Sequence, residues 1–165
     1  MSNVNRVFNL AARPVGFPKE SDFELVETPM PTPGDGEFLI RTTYLTVDPY
    51  MRGRMNDAKS YAQPFQIGEA IYGGSVGIVA ESNHPDYAEG DNIVGFWGWM
   101  DYAVSDGTGI TKLDPKLAPV TTARGILGMP GMTAYFGFLD LCLPKEGDQV
   151  FVSGAAGAVG ELVGQ

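Results

Sequence analysis

The chain has 165 residues, of which 11 are Lys or Arg and 20 are Asp or Glu, so its formal net charge is −9. An acidic surface repels nucleic-acid phosphates and anionic lipids, and no apolar run approaches the roughly 20 residues of a transmembrane helix, so neither nucleic acid nor membrane is an expected partner. One cysteine, Cys142, and one histidine, His84, exclude an internal disulfide and leave too few ligands for an ordinary structural zinc site. The N-terminal residues lack the apolar core of a signal peptide, which predicts a cytoplasmic protein.

Short extended segments separated by turns precede residue 120. Gly (22) and Pro (12) are abundant, which favours a β-rich module over a helix bundle. β-branched and aromatic residues dominate residues 38–47, and Pro49 ends that segment because its ring fixes φ. Short strands at this spacing indicate a small barrel or sandwich. The predicted strands are residues 23–27, 38–47, 74–81, 92–96 and 100–104.

The character of the sequence changes near residue 120. Residues 121–143 carry apolar side chains at roughly helical spacing. Pro130, between Gly128 and Gly131, interrupts that spacing and predicts two short helices with a joint at this point. Pro144 ends the second helix.

A short apolar strand is then predicted at residues 149–153, running directly into a Gly/Ala-rich turn. A strand, a turn and a helix start are the opening of a βαβ unit. The expected organisation is a β-rich domain at 1–120, a helical connector at 121–148 and the first strand and turn of a second, doubly wound α/β domain at 149–165.

The turn, GAAGAVG, is similar to a dinucleotide-binding fingerprint, with Ala155 replacing the first glycine of the usual G-x-G-x-x-G spacing. Small residues permit a tight turn, close approach of backbone N–H groups to a pyrophosphate and close packing of helix on sheet. The pattern also fits an ordinary glycine-rich turn, and spacing alone leaves both interpretations open. The candidate cofactor-binding residues of the turn are Gly154, Ala155, Ala156, Gly157, Ala158, Val159 and Gly160.

Four longer motifs carry a family resemblance: LTVDPYMRGRM (45–55), GWMDYAVSDG (98–107), LGMPGMTAYFGFLDLC (127–142) and VSGAAGAVGELVGQ (152–165). In this order they resemble the N-terminal half of a zinc-independent medium-chain dehydrogenase/reductase. More narrowly, they resemble the NADPH-dependent alkenal/enone double-bond reductases, a branch that includes prostaglandin reductases and curcumin reductases. The resemblance implies a mainly β, GroES-like barrel followed by a Rossmann domain, with NADP as cofactor and the active site in the cleft between the domains.

The resemblance also implies chemistry without a metal. Zinc-containing relatives place a cysteine where this chain has residues 45–48 and a Gly-His-Glu where it has residues 68–70, and neither metal ligand is present here. The implied reaction adds a hydride from NADPH to the β-carbon of an α,β-unsaturated aldehyde or ketone, while negative charge develops on the carbonyl oxygen.

Four residues outside the turn are candidates for the site. The resemblance implies that Pro49 and Tyr50 contact cofactor or substrate, and that the Tyr50 phenol is the catalytic group that stabilises or protonates the carbonyl oxygen. It places Met129 near the nicotinamide, with Thr133 as a neighbour. The structural alternatives are an aromatic plug in the barrel for Tyr50 and core filler at a helix break for Met129.

Other polar or reactive residues have simpler expectations. His84 lies in a polar turn and is expected to be solvated, and Cys142 on an apolar helix face is expected to be a buried small hydrophobe. Arg52 and Arg54 follow Tyr50 closely enough to approach a cofactor phosphate, although exposed arginines usually have no such specific role.

Two other functions fit the same features: a non-catalytic GroES-like interaction module, and a quinone oxidoreductase of the same superfamily. The expected partner is a small-molecule enone or enal, and a homodimer is an open alternative for the full-length protein. The chain on its own is expected to be inactive and to expose apolar surface around Phe136, Phe138 and Phe151.

Overall fold

The computed structural model describes residues 4–165, which form two compact units that divide after Leu113. The first unit is mainly β, as predicted, and also contains a 3₁₀ turn at Glu20–Asp22 and one α-helix, α1 (Pro49–Arg54). Its strands are β1 (Val4–Leu10), β2 (Phe23–Pro29), β3 (Phe38–Leu45), β4 (Tyr72–Ser82), β5 (Asn92–Gly98), β6 (Tyr102–Ser105) and β7 (Thr111–Leu113).

The strands form two antiparallel sheets. β1 pairs with β2 along its whole length, and the other strands lie in the order β6-β3-β4-β5-β7. Two isolated bridges, from Val7 to Met100 and from Asn9 to Ala70, join β1 to the segments that precede β6 and β4. These bridges hold the β1-β2 hairpin to the larger sheet.

The main core consists of side chains from β3, β4, β5 and β6: Phe38, Ile40, Val79, Ile93, Trp97 and Ala103. The Trp97 indole N–H donates to Thr42 Oγ1 at 2.9 Å, which satisfies the one polar atom of that buried ring. Gly77 allows β3 and β4 to approach closely, since a Cβ there would lie 2.9 Å from the Arg41 carbonyl oxygen.

A second buried cluster lies beneath α1 and consists of Leu10, Met51, Met55, Phe65 and Ile71. The helix begins at Pro49, because the fixed φ of proline suits the first helical position and its missing N–H leaves no bond unmade there. Met51 and Met55 are one helical turn apart and share the buried face. Tyr50 packs against the edge of the same cluster.

The predicted strands between residues 23 and 104 are confirmed as β2 to β6, with ends that differ by one or two residues. The sequence analysis missed β1 because Asn5 occupies a buried position in it. The Asn5 side chain donates to the Tyr102 carbonyl at 2.9 Å and accepts from the Tyr102 N–H at 2.9 Å. A polar residue satisfied in this way hides the apolar alternation, and β7 is too short to show one.

The second unit, Asp114–Gln165, is helical. It contains a 3₁₀ turn at Val120–Arg124, α2 (Met129–Tyr135), a π-helical stretch at Phe136–Cys142 and α3 (Gly160–Val163). Within residues 4–165, no helix has both the length and the apolar character that crossing a membrane requires.

The predicted joint between two helices is wrong. Gly128 is the N-cap of α2 and Pro130 lies in its first turn, where a missing N–H is tolerated, so the proline starts a helix instead of breaking one. The segment before it forms only the 3₁₀ turn that ends at Arg124.

The predicted strand at residues 149–153 is also wrong. These residues are irregular and pair with no strand of the described chain, residues 4–165. A strand needs a neighbour to satisfy its backbone N–H and C=O groups, and the second unit offers none. The division into 1–120, 121–148 and 149–165 stays a prediction.

Candidate functional site

Tyr50 is the second residue of α1, and hydrogen bonds fix the backbone that leads to it. The Thr46 N–H donates to the Gly74 carbonyl at 2.8 Å, and the Thr46 hydroxyl donates to Asp48 Oδ2 at 2.6 Å. Asp48 is the N-cap of α1, and its carbonyl accepts from the Met51 N–H at 3.0 Å. The ring of Tyr50 is half-buried, which suits both a site residue and the structural alternative.

Arg52 ties the other end of α1 to the loop that follows β1. Its guanidinium donates to the carbonyls of Pro14 at 3.0 Å and Gly16 at 2.9 Å, and also to Asn56 Oδ1 at 2.8 Å. This short helix is therefore held at both ends, and Pro49 lies exposed at its start.

The glycine-rich turn lies in the second unit and is tightly folded. Gly154 has φ +63°, a conformation that favours glycine, and its carbonyl accepts from the Gly157 N–H at 2.8 Å. A Cβ on Gly160 would collide with the Gly154 carbonyl oxygen and lie 2.8 Å from the carbonyl carbon. Glycine is therefore required at the start of α3. A tight turn of small residues before a helix is the local structure that dinucleotide binding needs.

A cavity of about 720 Å³ in the second unit brings part of this turn together with α2. Met129, Ala155 and Ala156 do not line it. Met129 begins α2, and its carbonyl accepts from the Thr133 hydroxyl at 2.7 Å. The candidate residues that line the cavity are Thr133, Gly154, Gly157, Ala158, Val159 and Gly160. Pro49 and Tyr50 belong to the first unit.

One of the simpler expectations, the one for Cys142, is wrong. Cys142 is exposed at the end of the π-helical stretch. His84 is half-buried in its turn: its ring packs edge-on against Phe38 at 5.8 Å, and its Nδ1 accepts from the Asp86 N–H at 3.0 Å. Within residues 4–165, no three His, Cys, Asp or Glu residues are grouped as metal ligands would be.

The acidic groups with shifted pKa values do not belong to the candidate site. Hydrogen bonds from Arg6, at 2.7 Å, lower the pKa of Asp101. The Ala88 N–H and then Lys112, whose Nζ lies 2.6 Å from the carboxylate, lower the pKa of Asp91. Both are partly exposed pairs within the β unit, and their effect is on its stability.

Two further polar side chains lie beside α1. Arg13 donates to the carbonyls of Met55 at 2.9 Å and Phe65 at 3.3 Å. The Trp99 indole N–H is buried and has no hydrogen-bond partner among residues 4–165. No sequence signal identifies Arg13 as a neighbour of α1, because its partners Met55 and Phe65 lie 42 and 52 residues away in the chain.

A family model described as the N-terminal domain of an oxidoreductase matches residues 6–113. The chain belongs to this oxidoreductase family. The matched residues include α1 and Tyr50 and end at the last residue of the first unit.

Several known proteins are similar to this chain over nearly its whole length. The NADPH-dependent curcumin reductase of Escherichia coli is 50% identical over 161 residues, which are 98% of this chain and 47% of that protein. The NADP-dependent 2-alkenal reductase of Nicotiana tabacum is 45% identical over 91% of this chain and 45% of its own length. A crystal structure of CurA from Vibrio vulnificus in complex with NADPH is 49% identical and superposes with a TM-score of 0.91, over 96% of this chain and 47% of that one. The chain thus spans about half the length of these relatives.

Proposed function

We propose that the whole protein reduces the C=C bond of α,β-unsaturated aldehydes and ketones with NADPH. The observation that carries the proposal is the 50% identity to an NADPH-dependent curcumin reductase over 98% of the chain. Curcumin and 2-alkenals share a C=C bond conjugated to a carbonyl group, so the two relatives point to one substrate class.

The second unit supplies the residues that would hold the cofactor. The glycine-rich turn suits a pyrophosphate group, because its glycines lack side chains that would keep the phosphate away from the backbone N–H groups. The turn consists of Gly154, Ala155, Ala156, Gly157, Ala158, Val159 and Gly160. Thr133 lines the same cavity as this turn, and Met129 precedes it by one helical turn. When bound, the cofactor supplies a hydride to the substrate.

Tyr50 is the proposed catalytic residue. Its phenol would donate a hydrogen bond to the substrate carbonyl oxygen and stabilise the negative charge that develops there as the enolate forms. Pro49 and the N-cap at Asp48 pre-set the start of the helix, so the ring needs little reorganisation to act. A proton delivered to the α-carbon of the enolate then completes the reduction of the C=C bond.

The test is loss of NADPH absorbance by the whole gene product with a panel of enals, enones and quinones. We expect turnover of enals and enones, and Tyr50→Phe should lower kcat by about 10²-fold, the usual effect of losing an oxyanion donor. Tyr44→Phe, on β3, is the matched control and should leave kcat unchanged.

Three outcomes would count against the proposal. Turnover of quinones alone would favour a quinone oxidoreductase. No turnover of any compound would favour a non-catalytic interaction module. Full activity in Tyr50→Phe would remove Tyr50 from the mechanism.

The organisation of the whole protein follows from the same proposal. We propose a cytoplasmic enzyme, homodimeric at full length, with a catalytic β domain at 1–120, a connector at 121–148 and the start of a Rossmann domain at 149–165. Light scattering of the whole gene product tests the dimer, and limited proteolysis tests the boundaries.

A further inference from the structure

Two half-buried guanidinium groups share one supporting residue beside α1. Arg13 donates through Nη1 to the carbonyls of Phe65 and Met55. Arg54 donates through Nε to the Gln63 carbonyl at 2.9 Å, and its Cζ lies 4.3 Å from the centroid of the Phe65 ring. Uncharged acceptors and an aromatic ring therefore orient both cations.

Neither cation is neutralised by an acid. Within the described part of the chain, residues 4–165, the ion pairs are Arg6 with Asp101 and Lys112 with Asp91. Neither pair involves the loops that carry these two guanidinium groups.

The local charge is the reverse of the charge of the whole chain. Residues 11–18 and 48–60 contain four cationic side chains and two acidic ones, Asp48 and Asp57, whereas the whole chain has 11 cationic and 20 acidic side chains. Asp48 already accepts a hydrogen bond from Thr46. Asp57 lies on the exposed loop after α1.

Both guanidinium groups keep donors that no residue among 4–165 engages. These are Nη1 and Nη2 of Arg54, and Nε and Nη2 of Arg13. A guanidinium edge of this kind matches two oxygens of an oxyanion. Arg13 contacts the backbone carbonyl of Phe65 and Arg54 contacts its ring, so both cations lie next to this residue.

We propose that Arg13 and Arg54 together bind a phosphate group of a small-molecule ligand. A phosphate dianion can neutralise both cations and has enough oxygens for two guanidinium edges, whereas a carboxylate would leave one cation unpaired. The bonds from Arg52 to Pro14 and Gly16 hold the Arg13 loop against the helix that carries Arg54, so the site is preorganised.

The test is titration of the chain with inorganic phosphate and pyrophosphate at low ionic strength, followed by backbone amide shifts in NMR spectra. We expect saturable shifts confined to residues 11–18 and 49–66, with a dissociation constant on the order of 1 mM. Arg54→Gln should weaken binding at least about tenfold, and Arg54→Lys about threefold, because lysine keeps the charge and loses the paired donors.

Arg41→Gln is the matched control, because it removes one positive charge from an exposed position of β3. Equal weakening in Arg41→Gln and Arg54→Gln would show a general charge effect and overturn the proposal. Shifts spread over the whole chain, or acetate binding as tightly as phosphate, would overturn it too.

Arg54 also supports Phe65, so each variant is first checked by its thermal midpoint. Arg13→Lys replaces Arg54→Gln if the latter unfolds, and it should weaken phosphate binding with the fold retained. Reductase activity is not a readout, so failure of the proposed function leaves this test decisive.

Discussion

The two units of this protein bury their apolar residues to very different degrees. The first unit holds both buried clusters, with Phe38 and Ile40 fully buried. In the second unit, Ala134 is the one buried hydrophobic residue among those described, while Phe151 is 91% exposed and Leu141 81% exposed. Apolar content alone does not make a core: antiparallel strands meet neighbours on both sides, whereas helices as short as α2 and α3 bury little by themselves.

The strongest way to break this comparison is one substitution made in both units. Phe38→Ala should lower the free energy of unfolding by about 3–5 kcal/mol, since it leaves a cavity where Phe38 stacks on Tyr87. Phe151→Ala should change it by less than about 0.5 kcal/mol. Urea unfolding followed by circular dichroism measures both, and equal losses would contradict the difference in burial.

Replacing one glycine by alanine in each unit tests how closely the two units are packed. Gly77→Ala should destabilise the β unit by about 1–3 kcal/mol, because the added Cβ meets the Arg41 carbonyl and Ile40 at once. Gly137→Ala meets nothing within 4 Å in the π-helical stretch. It should stabilise slightly, by up to about 1 kcal/mol of helix propensity. If Gly77→Ala left the free energy of unfolding unchanged, β3 and β4 could move apart without loss of stability, contrary to this prediction.

Self-association should depend on the second unit. Phe151→Ser should weaken it about tenfold in sedimentation velocity, because Phe151 is exposed and lines the same cavity as Phe138. Phe17 is 92% exposed in the first unit, and Phe17→Ser is the matched control. An equal effect of the two serines would mean that exposure alone drives association.

The smallest effect concerns pH and the β unit. The lowered pKa of Asp91 means that its contribution is present above the unfolded-state value of about 4 and is lost as pH falls through the folded-state value. Asp91→Asn should therefore cost less than about 1 kcal/mol at pH 7 and flatten the acid limb of the stability curve. Unfolding midpoints between about pH 7 and pH 3 measure it. An unchanged slope would show that the pairs with Ala88 and Lys112 do not bear on folding.

Local pattern was sufficient wherever a segment carried its own signal. The β-branched run in β3 and its end before Pro49 were both readable, because propensity and turn chemistry act within a few residues. The pattern failed at β1, where Asn5 is buried only because Tyr102, far along the chain, satisfies it. It failed at Pro130 because a proline reads equally as a helix break and as a helix start.

The candidate site divides in the same way. Motif resemblance identified Tyr50 and the glycine-rich turn, and the geometry adds why Gly160 must lack a side chain. Nothing in the local sequence distinguishes Arg13 from other loop arginines. Its partners, Met55 and Phe65, come from a different loop.

The sequence by itself determined the mainly β fold class, the positions of five strands, the candidate residues and the family resemblance. Each of these depends on composition or on residues close together in the chain. Tertiary structure decided which apolar residues become a core, that residues 149–153 form no strand without a neighbour, and that Arg13 and Arg54 both contact Phe65. These outcomes depend on contacts between distant segments, and no local periodicity encodes such contacts.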